Sequence, residues 1–112
     1  RRYKSRRVNN MNSKEFINRV YYFAEKIGVL KDIKSINLKL MKNKWASCSI
    51  KGDLVFNPEF FALDRKIIDY VIVHELLHLQ IPNHGKLWKM LMTAYVKNWE
   101  EIEESLQMYK ME

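Results

Sequence analysis

A chain of 112 residues, 47% hydrophobic and 12% aromatic, has room for one domain around a single modest core, not for two domains. No apolar run approaches the ~20 residues of a membrane-crossing helix, and the basic start RRYKSRR has no apolar centre of a secretory signal behind it. The net charge of +7 is uneven, with five basic residues in the first seven and an acidic stretch, WEEIEESLQ, near the end.

Residues 1–12 read as a flexible basic arm ahead of one domain over 13–112, and such an arm attracts phosphate, including that of nucleic acid. The first helix is predicted from Asn12, a cap with Glu15 three residues on, through Phe16, Val20, Phe23 and Ile27 to Gly28. Ile36, Leu38 and Leu40 alternate with polar residues, the pattern of a half-buried strand. WASCSI and DLVFN read as two further strands joined by a turn at 51–53. Asn57-Pro58 opens a short helical piece, PEFFAL.

Asp64 then caps a helix, RKIIDYVIVHELLHLQ, which Pro82 stops. The remainder, from Lys86, reads as one helix or as two with a break near Asn98. Its stripe of Trp88, Leu91, Met92 and Tyr95 suits core packing, as does Trp99, Ile102, Leu106 and Tyr109 further on. These elements predict an α+β fold. A small three-stranded, mostly antiparallel sheet would pack on the first helix and on the helix of residues 65–80, with a helical C-terminus.

Between Val71 and Leu79 the only polar side chains are His74, Glu75 and His78, in a helix apolar on nearly all sides. Burying them is costly unless something compensates, and a metal ion would. Residues i and i+4 share a helix face with Cβ atoms about 5–6 Å apart, so both imidazoles can reach one ion. Glu75, about 100° further round the helix, borders the ion and can take a proton from water there. HELLH is thus an instance of H-E-x-x-H, two ligands and a general base. Pro82, Asn83 and Gly85 let the chain turn back and present His84 as a third ligand. A structural zinc site would instead recruit Cys48, the sole cysteine, and would leave Glu75 without a role. That lone thiol also excludes an internal disulfide and suits a reducing compartment.

Three blocks, KNKWASCSIKGDLVFN, PEFFALDRK and IIDYVIVHELLHLQIPNHGKLW, resemble the YgjP-like metallopeptidase family, a branch of the zincins. The resemblance covers about residues 21 to 105, with Ala46 where the family's W-G-S-C-S block has glycine. It implies a cytoplasmic zinc hydrolase with one Zn²⁺ per chain, His74, His78 and His84 as ligands, Glu75 as catalytic base and a peptide or protein substrate. The histidine spacing equals that of metzincins, but Ile81 takes their glycine position and no Met-turn follows. In zincins a strand beside the metal pairs with extended substrate, and WASCSI or DLVFN is the candidate here. Trp45, Ser47 and Tyr95 are the candidate substrate contacts. Two alternatives stand beside the peptidase: a phosphoanhydride hydrolase acting on nucleotides at the same site, and a nucleic-acid-associated module using RRYKSRR. No membrane role is expected.

Overall fold

A computed structural model describes residues 11–108. The arm foreseen for 1–12 therefore falls largely outside the described residues, but Met11 is buried and Asn12 caps the first helix.

Helix α1 spans Ser13–Ile27 and starts as its sequence dictates. The Asn12 side chain accepts from the Glu15 amide at 2.8 Å and the Asn12 amide donates to the Glu15 carboxylate at 3.1 Å. Two donors otherwise orphaned at the helix start are satisfied reciprocally. Gly28 ends the helix at φ 87°, a conformation side chains with a Cβ rarely adopt. The inner face buries Phe16, Val20, Phe23 and Ala24.

Strands β1 (Ser35–Leu38), β2 (Ala46–Cys48) and β3 (Asp53–Phe56) form one sheet in the order β1-β3-β2. β2 and β3 are antiparallel, with Ala46 opposite Phe56, whereas β1 and β3 run parallel, Ser35 opposite Asp53 and Leu38 opposite Phe56. The α+β class holds, but the sheet is mixed where mostly antiparallel pairing was expected. The chain reverses twice, so the first and third strands point the same way, and β3 lies between the other two. The first strand also stops at Leu38. Lys39 makes one more bond to the Phe56 carbonyl, after which β3 has turned away at Asn57, and Leu40 is left 69% exposed. In the β2–β3 turn, Gly52 sits at φ 97°, where a Cβ would collide with the Asp32 carbonyl.

Helix α2 spans Arg65–Leu77, capped by Asp64, which accepts from the Lys66 amide at 3.2 Å. It is buried on nearly every side, by α1, by β2, and by helices α3 (Lys86–Tyr95) and α4 (Trp99–Gln107). The C-terminal region is thus two helices, broken at 96–98 near the foreseen Asn98. Phe16, Phe56 and Phe60 meet edge-on or stacked at the centre, with ring centroids 4.9 to 6.4 Å apart. Among the described residues no helix is long and apolar enough to cross a membrane.

Candidate metal centre

The helical repeat sets His74 and His78 one turn apart on one face of α2. The α-helix ends at Leu77, three residues short of the Gln80 foreseen. From His78 onward the main chain tightens into i→i+3 bonds, with His78, Leu79 and Gln80 donating to the carbonyls of Glu75, Leu76 and Leu77 at 3.1 Å. Pro82 explains the early change, because the residue before a proline avoids the helical region and pulls the last turn out of register. The Asn83 side chain then accepts from the Gly85 amide at 2.9 Å, a tight turn that sends His84 back toward α2 before α3 begins.

The three imidazoles converge. Ring centroids are 4.8 Å apart for His74 and His78, 5.1 Å for His74 and His84, and 4.7 Å for His78 and His84. Each offers one ring nitrogen within 4.8 Å of the others, and the Nε2 atoms of His78 and His84 are 2.9 Å apart. His78 Nδ1 lies 2.9 Å from the Ile81 carbonyl. A carbonyl only accepts, so Nδ1 carries the proton and the Nε2 lone pair faces the cluster. Burial, reinforced by the neighbouring His74 and His78, lowers the pKa of His84, while Glu103 and Glu75 pull the other way. Neutral imidazoles with inward lone pairs are what a divalent cation requires. The donor set fits such an ion.

Glu75 is 9% exposed and holds Oε2 3.3 Å from His74 Nδ1, beside the cluster rather than within it. Beneath the three rings lies Trp88, 2% exposed, with its centroid 5.2, 5.9 and 4.6 Å from His74, His78 and His84. This tryptophan was legible only as core. Its contact with all three histidines depends on the turn at 82–85 folding α3 under α2.

Between β2, α2 and α4 an open cavity of about 250 Å³ reaches His74 and Glu75 at one end. Trp45, foreseen as a cleft residue, lines it together with Ala46, Val71 and Leu106. Ser47 stands on β2 opposite Val55. Tyr95 is elsewhere: its hydroxyl donates to the Lys26 carbonyl at 3.5 Å, and it borders a separate cavity with Asp69 and Asn98. Cys48 is outside the histidine cluster, and burial, with some help from the Glu75 charge, pushes its thiol up to about 11. A structural four-ligand site recruiting Cys48 finds no support in that placement.

Two residues of the cavity were not singled out from sequence. Tyr70 is buried one turn before His74, and its hydroxyl meets the Glu103 carboxylate of α4; burial first, then Glu103, raises its pKa. The signal for Glu103 was slight, its position next to Ile102 on the border of the α4 apolar stripe. Flanking β2, the Trp45 carbonyl accepts from the Asn57 amide just past β3, and the Ser49 amide donates to the Asp53 carbonyl of β3. By antiparallel alternation the main-chain groups of Ala46 and Cys48 then face the open edge of the sheet.

Across residues 3–109 the sequence matches the family described as YgjP-like, metallopeptidase domain. No curated protein sequence matches it. Among solved structures, the crystal structure of the metallopeptidase zymogen jannalysin from Methanocaldococcus jannaschii is 28% identical, with a TM-score of 0.76 over 86% of this chain and 97% of that one. The metallopeptidase zymogen abylysin from Pyrococcus abyssi, 18% identical, shares the fold with a TM-score of 0.67 over 87% of this chain and 99% of its own.

Proposed function

The chain belongs to the YgjP-like metallopeptidase family of metal-dependent hydrolases, and we propose that its ion is a single Zn²⁺ held by His74, His78 and His84, with Glu75 as general base. The observation that carries this reading is the meeting of the three ring nitrogens, drawn from a helix face and from a loop six residues beyond it. A divalent cation bound there supplies a Lewis acid for the scissile carbonyl and lowers the pKa of water from 15.7 to about 7.

The chain's own groups do the rest. Glu75, on the cavity side of the cluster, takes the proton from the attacking water and delivers it to the leaving amine, a service worth about 10²–10⁴-fold. The Ile81 carbonyl fixes the His78 ring, and Trp88 excludes water from behind the imidazoles. The open edge at Ala46 and Cys48 offers main-chain partners to an extended peptide, which β-strand addition would draw past the cavity. We propose a cytoplasmic location, where Cys48 stays reduced. The phosphoanhydride alternative has no support from the family or from the similar structures, and the RRYKSRR segment lies outside the described residues.

Protein purified without a histidine tag should contain one zinc per chain. His78→Ala should lose both zinc and casein cleavage, whereas Glu75→Gln should keep zinc and lose cleavage. Full activity in Glu75→Gln, or unchanged zinc content in His78→Ala, would sink the assignment.

A further inference from the structure

The cavity beside the ion site contains a carboxylate that the chemistry above does not use. Glu103 is half-buried on α4, and no Lys or Arg among the described residues forms an ion pair with it. Its neighbour is the Tyr70 hydroxyl, a neutral donor. A carboxylate that has lost part of its hydration and is paired with no basic side chain favours a positive group brought within reach. The one lysine that lines the cavity, Lys44, is an exposed residue, and no ion pair joins it to Glu103 among the described residues. The cavity's apolar lining comes from Trp45, Ala46, Val71 and Leu106, facing a polar set that includes Glu103, Tyr70 and Glu75. The volume, about 250 Å³, falls below the ~300–1,000 Å³ usual for whole small-molecule ligands and suits one long side chain.

We propose that this cavity is a substrate pocket for a lysine or arginine side chain, its methylene stem against Trp45, Val71 and Leu106 and its charged end at Glu103. The assignment rests on the peptidase reading above and adds the class of residue that reading leaves open. Lys and Arg are suited to such a site because they carry an apolar stem and a cationic head. An acidic side chain would meet both Glu103 and Glu75 and be repelled. Delivery follows from the sheet: Ala46, the first residue of β2, and Trp45 just before it form part of the cavity wall, so a peptide paired along that edge would run beside the cavity.

The test compares matched peptides that differ only by lysine against norleucine, which keeps the stem and removes the charge. Zinc-loaded wild-type chain should cut a peptide library with Lys or Arg enriched at one fixed position relative to the cut. Glu103→Gln should lower the lysine-to-norleucine ratio of kcat/KM at least tenfold, mainly by slowing the lysine peptide, and Glu103→Asp should restore part of it. Binding supplies a readout that needs no turnover. Zinc-loaded Glu75→Gln should bind the lysine peptide at least tenfold tighter than the norleucine peptide, and the added Glu103→Gln change should equalise them. Equal binding of the two peptides by Glu75→Gln, or an unaltered ratio in Glu103→Gln, overturns the pocket. Failure of the underlying peptidase reading shows separately, as cuts that survive His78→Ala or as a wild type that cuts nothing.

Discussion

Helices α1 and α2 press against the same aromatic core, yet they dispose of their polar residues in opposite ways. On α1 the polar side chains face outward, and Arg19 leaves that pattern only to grip Asp69 of α2, with its Nε and Nη2 2.9 and 2.8 Å from the two carboxylate oxygens. On α2, buried on nearly all sides, His74 and Glu75 sit in the last turn and His78 caps its end, where they meet a fourth polar residue, His84, from the loop. One helix is organised by the need to bury an apolar stripe. The other gathers half-buried and exposed imidazoles beside a buried carboxylate, an arrangement that adds little to packing and that could hold a cation. Changes in α1 should therefore be read in stability, and changes at the end of α2 in chemistry.

That division can be broken most sharply at Glu75. Glu75→Gln should lower kcat/KM by about 10²–10⁴-fold while leaving the unfolding midpoint within error; a large loss of stability would mean that Glu75 is part of the scaffold. Next comes Phe16→Ala, which removes a fully buried ring that meets Phe56 at 4.9 Å and stacks on Phe61 at 4.7 Å. It should cost about 3–5 kcal/mol in urea unfolding, with activity per folded molecule retained. Arg19→Ala should cost about 1–3 kcal/mol, because the pair with Asp69 is mostly buried and the guanidinium also lies over Tyr22 and Phe23. If zinc content fell in Arg19→Ala, the two helices would not be separable as argued.

The smallest effect is a pH slope at Cys48. Its folded pKa, about 11, lies above the ordinary 9.0, so the folded chain holds this proton more tightly than the unfolded one. The stability linked to it is complete below pH 9 and is lost as pH climbs toward 11. Urea midpoints of wild type and Cys48→Ser, compared between pH 8 and pH 10.5, should therefore show the steeper fall in wild type. Parallel curves would contradict the burial assigned to that thiol.

The parts legible in the sequence were those decided by near neighbours along the chain. Asn12 and Glu15 cap each other, Gly28 takes the left-handed ending, and Asp64 caps α2 because each needs only a partner two to four residues away. The histidine cluster was legible for the same reason, since His74 and His78 share a helix face and His84 is reached by a short turn. Pairing between distant segments was not. Nothing local in SINL says that it joins DLVF in parallel, because that depends on which edge of β3 the chain reaches last. Glu103, brought beside Tyr70 from a helix that begins more than twenty residues later, is illegible on the same grounds.

Asn57 is fully buried and serves as a clamp. Its side-chain amide donates to the carbonyls of Met41 and Lys44 at 2.9 and 3.1 Å, its oxygen accepts from the Glu59 amide at 3.0 Å, and its own amide binds the Trp45 carbonyl at 2.8 Å. Each of those contacts addresses backbone, none a side chain. The loop leading into β2 is thereby anchored while its lettering is left open, so residues 41 to 44 form a stretch that evolution or an engineer can rewrite to retune what approaches the cavity without moving Trp45.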